Sequence, residues 1–317
     1  MRVLVFGASG YIGKRLIKGL VGAGHEATGF VRSAAGAQSV KELEANAIVA
    51  SLDDSAATDG ALADHDAAIW LVQLALDEEK RVVERLLKSV RRSEKTFIFT
   101  GGASVLSEPT EGEWSDNSFS ETDSFIPRRQ LQIRAETESA VRVAAQSGVR
   151  SIVVRPPLVY GHGGCKVISD LYHSARQTGS VCYVGRGLNA YSSVHVDDLV
   201  HLFNLALIRG VPGSLYHCVG AEATFRSMAM TIAGGLKVGT RSLTVAEAQE
   251  VWDKFSGTTV FSSCSRCRSP VARSQLGWKP TKERSDILDE CLNPAYAMET
   301  ARTLASWIKP GQVEPKG

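Results

Sequence analysis

A chain of 317 residues, 44% of them hydrophobic, is long enough for one large α/β domain or for one such domain with a smaller appendage. Its 36 basic and 34 acidic side chains give a formal net charge of +2, which argues against nucleic acid or an anionic membrane as a partner. The longest apolar stretch, residues 67–76, is about half of a membrane span, and no signal peptide is visible. Six scattered cysteines fit a reducing compartment, so we expect a soluble, cytoplasmic protein.

The first thirteen residues, MRVLVFGASGYIG, combine a short apolar strand, a glycine-rich turn and the start of a helix. Gly7, Gly10 and Gly13 recur at a spacing of three, slightly longer than the GxGxxG fingerprint. Glycines let backbone N–H groups approach a pyrophosphate, and the dipole of the helix that follows favours its negative charge. This succession of strand, turn and helix predicts a dinucleotide-binding site.

The second predicted strand, residues 25–31, ends at Arg32 and Ser33. This position follows the glycines by about twenty residues, where a dinucleotide fold meets the adenosine ribose. An acidic side chain there binds the 2′-hydroxyl of NAD, whereas a guanidinium holds a 2′-phosphate through paired, charge-assisted hydrogen bonds. Arg32 therefore predicts NADP(H); the alternative is a solvated surface arginine.

Strands and helices then alternate, which predicts a parallel sheet with right-handed crossovers. Further strands are predicted at 47–52, 67–72, 96–100 and 151–154. A helix with Asp77 as its N-cap follows the fourth strand, and another spans residues 128–146. The polar, acidic stretch 108–123 is predicted to be a loop.

Beyond Tyr160 the chain is predicted to be mainly helical. Helices are expected at 167–177, 225–234, 245–255, 270–276 and 287–307, a strand-to-helix unit at 194–207, a strand at 214–219 and a disordered tail at 310–317. Cys264 and Cys267 form a CxxC, but no second pair or histidine stands at zinc spacing, so we predict no metal site.

Four ordered motifs carry a family resemblance. GASGYIG at 7–13, RPPLVYG at 155–161, VHVDDL at 194–199 and ARSQLGWKP at 272–280 together resemble the extended and atypical short-chain dehydrogenase/reductase superfamily, including its epimerase/dehydratase-like members. The resemblance implies an α/β fold: a Rossmann-type doubly wound parallel sheet with a smaller, mainly helical C-terminal substrate lobe. It divides the chain into an NADP(H)-binding domain, residues 1–160 plus about 191–219, and a substrate lobe, about 161–190 and 220–309.

The resemblance also implies which residues line the cofactor. The phosphates would be bordered by Gly7, Ser9, Gly10, Tyr11, Ile12 and Gly13, and the 2′-phosphate would face Arg32 and Ser33. Leu52 would meet the adenine, and the ribose and nicotinamide would be lined by Leu71, Val72, Thr100, Gly101, Pro157, Leu158 and Val159.

The chain departs from the family at the catalytic centre. The family's YxxxK is followed by a glutamate four residues past the lysine; Glu138 matches it, which puts Arg134 at the lysine position and Gln130 at the tyrosine position. The serine position falls on Gly102. A glutamine amide does not titrate near neutrality and only hydrogen-bonds, and arginine stays protonated, so the predicted role of Arg134 is to hold ribose hydroxyls.

Other side chains are candidates to replace the triad. If the alternation of the predicted strand 96–100 continues, Thr100, Gly102 and Ser104 share a face, and either hydroxyl takes the role of the serine. Tyr160 and His162 are candidate proton donors at the carboxyl edge of the sheet, against packing or surface roles. For His195 we favour a packing role, and for Asp197 and Asp198 a helix cap.

Three functions remain open from the sequence. The first is an NADP(H)-dependent oxidoreductase acting on a small hydrophobic or aromatic carbonyl compound. The second is a non-redox isomerase, cyclase or dehydratase on the same scaffold, and the third is a regulator similar to the NmrA-like proteins, which bind dinucleotides without catalysis. We favour an enzyme.

A homodimer is a further hypothesis. In extended family members the helices near 78–92 and 128–146 often pair between subunits. The apolar stripe formed by Val82, Val83, Leu86, Leu87 and Val90 looks wide enough to pack against more than its own sheet.

Overall fold

The computed structural model describes residues 1–281, 284 and 286–297. Its strands are β1 Arg2–Phe6, β2 Glu26–Val31, β3 Asn46–Val49, β4 Ala67–Trp70, β5 Thr96–Thr100, β6 Glu108–Pro109, β7 Arg150–Arg155, β8 Leu158–Tyr160, β9 Ser180–Val184, β10 Ala190–His195, β11 Leu215–His217, β12 Ala221–Thr224, β13 Gly239–Leu243 and β14 Ser263–Cys264. Its helices are α1 Tyr11–Gly22, α2 Ala34–Lys41, α3 Ser55–Asp64, α4 Leu76–Ser89, α5 Gln132–Val143, α6 Lys166–Thr178, α7 Val196–Arg209, α8 Phe225–Leu236, α9 Val245–Val251 and α10 Ile287–Glu290.

The central sheet has seven parallel strands in the order β11-β7-β5-β4-β1-β2-β3. The strand order reverses beside β1, because β2 lies on one side of it and β4 on the other. Ligands bind at such a switch point, outside the carboxyl ends of the strands. The predicted Rossmann-type parallel sheet is confirmed, and its carboxyl edge is where the site is to be sought.

Helices cover both faces of the sheet. On one face α1 and α7 bury Leu16 and Phe203 together with Trp278. On the other face α4 and α5 bury Val83 and Val141. Each Å² of apolar surface that is buried in this way stabilises the fold by about 25 cal/mol. These two layers therefore contribute much of the stability of the domain.

The apolar stripe of α4 is buried entirely by this packing within the chain. All five of its side chains are buried within the chain, namely Val82, Val83, Leu86, Leu87 and Val90. The outer side of the helix instead carries charged residues such as Lys80, which pairs with Glu136 of α5 at 2.7 Å. The stripe therefore gives no argument for a subunit contact, and the homodimer stays a prediction.

Several helices and strands begin or end at residues other than those predicted. The helix predicted at 128–146 consists of a 3-10 turn at Arg129–Leu131, α5, and a second 3-10 turn at Ala144–Ser147. The residue that caps α4 is Ala75 rather than Asp77, which lies in the first turn where its charge favours the helix dipole. Strands β3 and β4 end at Val49 and Trp70, earlier than predicted.

The C-terminal lobe is less helical than expected. The chain adds a parallel pair, β9 with β13, and a small sheet in the order β12-β10-β8, while the predicted loop 108–123 contains β6, which pairs with β14. These strands are short or polar, so their sequences lack a clear alternation. The predicted helix 270–276 is a π-helical turn at Ala272–Leu276, and α9 ends at Val251.

Two predictions lie partly or wholly outside the described residues. Of the helix expected at 287–307 only α10 and the residues up to 297 are described, and the tail at 310–317 is not. Among the described residues, no helix is both long and apolar enough to cross a bilayer.

Candidate cofactor and active site

The turn at residues 7–13 joins β1 to α1 and is shaped by its glycines. Gly7 has a φ of +83°, and the N–H of Gly10 donates to the Gly7 carbonyl at 3.1 Å. A Cβ on Gly13 would lie 2.2 Å from that carbonyl oxygen and 2.7 Å from the carbonyl oxygen of Ala8. Only glycine permits this approach of helix to strand, so the predicted phosphate-binding turn has the form that a dinucleotide requires.

Tyr11 connects this turn to the loop after β8. Its hydroxyl donates to the carbonyl of Gly161, just past β8, at 2.7 Å. Burial raises the pKa of the Tyr11 hydroxyl far above its ordinary value. Tyr11 thus acts as a fixed donor between the two loops, while Ile12 beside it is half-buried against the core.

Arg32 and Ser33 lie where the sequence predicts, at the end of β2 next to β1. The Ser33 hydroxyl caps α2 by accepting the N–H of Gly36 at 3.2 Å, so its oxygen already has a structural role. The hydroxyl of Ser9 lies 3.4 Å from where a Cβ on Gly36 would be, which brings the glycine turn and the start of α2 together. Arg32 is exposed, and its guanidinium has no hydrogen-bond partner among the residues that the structure describes.

The other predicted cofactor residues follow strands of the sheet. Leu71 donates its N–H to the carbonyl of Phe6 at 3.0 Å, directly beside Gly7, and Val72 follows it. Leu52 lies past β3, and its carbonyl accepts from Arg85 at 2.6 Å. Pro157, Leu158 and Val159 lie past β7 in and before β8. The carboxyl edge thus collects these residues around the glycine turn.

Two glycines, Gly101 and Gly102, follow β5 at the place where the sequence predicts the serine position. Gly101 makes room for a carboxylate, because a Cβ there would lie 2.1 Å from Oε1 of Glu138. The prediction that Thr100, Gly102 and Ser104 share a strand face is wrong: β5 ends at Thr100, and Ser104 lies in a 3-10 turn at Ala103–Leu106. Thr100 Oγ1 is buried without a hydrogen-bond partner in the described structure, so it remains a polar atom available at this edge.

Arg134, at the predicted lysine position, forms an ion pair with a buried glutamate. Arg134 on α5 places Nη2 3.1 Å from Oε2 of Glu79 on α4, and Glu79 Oε1 accepts from the indole of Trp70 at 3.2 Å. Burial raises the pKa of Glu79, although the Arg134 charge acts in the opposite direction. Arg134 therefore joins the two helices, which constrains the predicted contact with ribose hydroxyls.

A second buried network fixes the rest of α5. Arg155 Nε donates to Oε2 of Glu138 at 3.0 Å, and Arg155 Nη1 lies 3.2 Å from Nε2 of His217. His217 Nδ1 faces the Arg268 carbonyl at 2.9 Å, so the neutral ring with its proton on Nδ1 satisfies both neighbours. Burial and the Arg155 charge lower the pKa of His217 to about 3. Sequence reasoning missed His217 because its partners lie far away along the chain.

The two candidate proton donors differ in exposure. Tyr160 is buried with its ring edge-on to His195, at 5.5 Å between centroids, and burial raises its pKa to about 12. His162 is exposed at a positive φ of 55°, and its Nε2 lies 3.0 Å from Asp197 Oδ2. Of the two, only His162 is solvent-accessible in this structure, and its imidazole already has a carboxylate partner.

The start of α7 is capped by His195 rather than by either aspartate. His195 Nδ1 accepts the N–H of Asp197 at 3.2 Å. Asp198 instead accepts from Thr281 Oγ1 at 2.8 Å and anchors the segment after Trp278. The expected caps at Asp197 and Asp198 are therefore wrong, because both carboxylates point at other elements.

Three ligand-type side chains also meet here. Single ligand atoms of His162, His195 and Asp197 all lie within 4.8 Å of one another. Partial burial opposes the charge of Asp197, yet the hydrogen bond from His162 and nearby cationic side chains hold its pKa below the ordinary value. Arg284 Nη1 lies 3.4 Å from the same carboxylate, and an arginine there competes with a metal ion for it. The sequence-based expectation of no metal stays a prediction.

Gln130, at the predicted tyrosine position, lies before α5 although the predicted helix 128–146 included it. Gln130 belongs to the 3-10 turn before α5, is exposed, and has its side-chain amide 3.2 Å from Thr259 Oγ1 of the C-terminal lobe. Its backbone neighbour Leu131 packs against the turn after β5, in a cluster with Ala103, Val105 and Leu106. Gln130 itself is described only against the C-terminal lobe, and its assignment to the tyrosine position stays a prediction.

Comparison with known proteins identifies a family and several relatives of this chain. The model of the NAD dependent epimerase/dehydratase family matches residues 3–218. An uncharacterized protein of Schizosaccharomyces pombe is 30% identical over 309 residues, covering 93% of this chain and 100% of that protein. A Stigmatella aurantiaca protein, 4-hydroxy-2-methyl-3-oxo-4-farnesyl-3,4-dihydroquinoline-1-oxide ketoreductase, is 27% identical over 242 residues, 72% of this chain and 71% of its own.

A solved structure shows the same fold. The dTDP-glucose 4,6-dehydratase of Bacillus anthracis, in complex with NAD, superposes with a TM-score of 0.72 at 15% identity, covering 96% of this chain and 97% of that one. At this identity the likeness concerns the fold alone. The sequence match extends over most of the Rossmann domain, and the chain belongs to the NAD dependent epimerase/dehydratase family.

Proposed function

We propose that this protein is a cytoplasmic enzyme that binds NADP(H) and acts on a small hydrophobic or aromatic carbonyl or hydroxyl metabolite by non-standard chemistry. The observation that carries the proposal is the combination of an intact glycine turn with Gly102, Gln130 and Arg134 at the triad positions. The first feature supports a bound dinucleotide, and the second removes the usual proton donor. All six cysteines are buried free thiols, which supports a reducing location.

The choice of NADP(H) rests on Arg32. Its exposed guanidinium follows β2 beside the glycine turn and is free of hydrogen bonds to the described residues, so a phosphate would be its first charged partner. The Bacillus anthracis dehydratase is named as an NAD complex, and an acidic side chain at this position would favour NAD over NADP. In this chain arginine stands there instead.

A redox reaction is the first candidate. The relative from Stigmatella aurantiaca is named a ketoreductase, and a bound NADPH supplies the hydride for such a reduction. The residues of this chain would orient the carbonyl beside Thr100 and Gln130, but neither Gln130 nor Arg134 releases a proton near neutrality. General acid catalysis typically contributes 10²–10⁴-fold, so reduction of simple ketones should be slower by about that factor.

A non-redox reaction on the same scaffold is the second candidate. The observation that favours it is the ion pair between Arg134 and Glu79. Because its guanidinium is held by this pair, Arg134 is not positioned to relay a proton as the family's lysine does. The dehydratase that shares the fold is consistent with this alternative. Conversion of a candidate substrate without net NADPH consumption would select it.

The cofactor choice is tested by binding. NADPH and NADH affinities are measured by fluorescence titration for the unmutated protein, for Arg32→Ala, and for Arg91→Ala, an exposed arginine after α4. Loss of a charge-assisted pair with phosphate, about 1.5–3 kcal/mol, should narrow the preference for NADPH by roughly tenfold or more in Arg32→Ala only. Equal affinity of the unmutated protein for both cofactors would contradict the proposal.

A further inference from the structure

Ligand-type side chains meet at the carboxyl ends of β8 and β10. These strands are parallel neighbours, so the segments that follow them leave the small sheet on the same side. His162 follows β8, and Asp197 lies in the first turn of α7, directly after β10. His195 ends β10, and its ring centroid lies 5.2 Å from that of His162. The parallel pairing therefore explains why side chains 35 residues apart in the chain come together.

The spacing of the three side chains suits a tetrahedral metal ion. Nε2 of His162 lies 3.0 Å, and Nδ1 of His195 lies 3.8 Å, from the same oxygen, Oδ2 of Asp197. Zn²⁺ binds nitrogen and oxygen at about 2.0–2.2 Å, so the ligand atoms of a tetrahedral site are about 3.3–3.6 Å apart. Movements of about 0.5 Å would complete this geometry. Within the described part of the chain, no other three ligand-type side chains meet in this way.

The protonation state of His195 also suits a metal ion, which needs a lone pair on each ligand atom. Its Nδ1 accepts the N–H of Asp197 at 3.2 Å, so the proton of the neutral ring is on Nε2. Burial lowers the pKa of His195, which keeps the ring neutral. A metal ion at Nδ1 would replace one neutral hydrogen bond, which is a weak interaction beside a coordinate bond.

The backbone that carries His162 is held in place. Gly161, His162 and Gly163 have φ angles of +120°, +55° and +76°. The Gly161 carbonyl accepts from the hydroxyl of Tyr11 at 2.7 Å, and the N–H of Gly163 donates to Oε1 of Glu290 at 2.7 Å. A loop that is already fixed loses little conformational freedom on binding, so the imidazole is positioned near its partners in advance.

Arg284 is the competing cation, and it has a second partner. Its Nη1 lies 3.4 Å from Oδ2 of Asp197, and its Nε lies 3.6 Å from Oδ1 of Asp198. Asp198 is buried and also accepts from Thr281 Oγ1 at 2.8 Å. A metal ion that takes Asp197 therefore leaves Arg284 paired with Asp198. Competition by the arginine reduces the affinity of the site but does not prevent binding.

We propose that His162, His195 and Asp197 bind a borderline divalent metal ion, with Zn²⁺ as the favoured ion. Imidazole nitrogens suit such ions, whereas Mg²⁺ and Ca²⁺ prefer sites made of oxygen ligands alone. The inference goes beyond the proposed function, because it needs neither the cofactor nor a substrate. It departs from the sequence-based expectation of no metal, which rested on the spacing around Cys264 and Cys267.

The test measures Zn²⁺ binding to the full chain, expressed without a histidine tag, by isothermal titration calorimetry. His162→Asn removes the imidazole and introduces a residue type that tolerates a positive φ, so Zn²⁺ affinity should fall at least about tenfold. His201→Asn, at an exposed position on α7, is the matched control and should bind Zn²⁺ as the unmutated protein does. Excess Mg²⁺ should not displace the Zn²⁺.

A second variant should strengthen binding, which is an effect that misfolding does not produce. Arg284→Gln removes the competing charge, and Zn²⁺ affinity should rise about two- to fivefold, the value of a partly exposed ion pair. Co²⁺ in place of Zn²⁺ adds a spectroscopic measurement, because tetrahedral Co²⁺ absorbs strongly in the visible range. Its bands should appear with the unmutated protein and be lost with His162→Asn.

Three results would overturn the inference: no Zn²⁺ binding by the unmutated protein, equal losses in His162→Asn and His201→Asn, or unchanged affinity in Arg284→Gln. A thiolate-to-Co²⁺ charge-transfer band would also overturn it, since the metal would then be bound by one of the six buried cysteines. A loss confined to His162→Asn, together with the gain in Arg284→Gln, would support the site.

Discussion

The glycine turn and the beginning of α5 lie at the same edge of the sheet but keep their shapes by different means. The shape of the turn depends on backbone contacts. The Gly7 carbonyl oxygen lies so close to the Cα of Gly13 that a Cβ there would clash with it. The start of α5 depends on side chains instead, with Arg134 on Glu79 and Arg155 on Glu138, both pairs buried. The comparison teaches that one edge of a sheet can hold a turn fixed by backbone contacts and a helix fixed by ion pairs that involve buried carboxylates.

The largest expected effect breaks one of the buried pairs. Glu138→Gln removes the charge that balances the buried Arg155 guanidinium, and loss of one partner of a buried pair costs on the order of 3 kcal/mol or more of unfolding free energy. Urea denaturation measures it. The matched control is Glu136→Gln, two residues earlier on the exposed face of α5, whose pair with Lys80 is solvated and should matter far less. Similar losses in both variants would show that α5 is not held by its buried charge.

A smaller effect is expected at the turn. In Gly13→Ala the new Cβ meets backbone carbonyls that have nowhere to move, which should destabilise the protein by about 1–3 kcal/mol and weaken NADPH binding. Gly22→Ala, in the same helix with nothing within 4 Å of its Cβ, should be neutral or stabilising by up to about 1 kcal/mol. Thermal melting and NADPH titration measure both. An unaffected Gly13→Ala would show that the backbone approach is not required.

The smallest effect concerns pH. His217 stays neutral in the folded protein down to a pKa of about 3, whereas in the unfolded chain it takes up a proton near its ordinary value of 6.5. The unfolded state therefore binds more protons below that value, and stability falls as the pH is lowered from 6.5 toward 3. Between pH 6.5 and about pH 4.5 this contribution amounts to about 2 kcal/mol.

The free energy of unfolding of His217→Asn, measured by urea denaturation over that pH range, should depend less steeply on pH than that of the unmutated protein. His201→Asn, at an exposed position on α7, serves as the control and should keep the slope of the unmutated protein. If His217→Asn had the same slope as His201→Asn, the buried network around Arg155 would not be the source of the acid sensitivity.

Much of the fold was predictable because it follows from local patterns. Gly7, Gly10 and Gly13 mark the turn by spacing alone, and the alternation of apolar strands with helices predicts the parallel sheet. The small strands of the C-terminal lobe were not predictable, since β13, Gly239–Leu243, is mostly exposed and depends on pairing with β9. The α4 stripe was over-interpreted, because a sequence cannot say how much of an apolar face its own sheet covers.

The sequence by itself determined the dinucleotide turn, the arginine after β2 and the absence of a titrating side chain at Gln130 and Arg134, because each depends on residue type and near spacing. Only the tertiary structure decided what those side chains contact. Gln130 meets Thr259, 129 residues away, and Arg155 meets His217, 62 residues away. Such contacts arise when the C-terminal lobe packs onto the sheet edge, and no local pattern encodes which polar atoms that packing brings together.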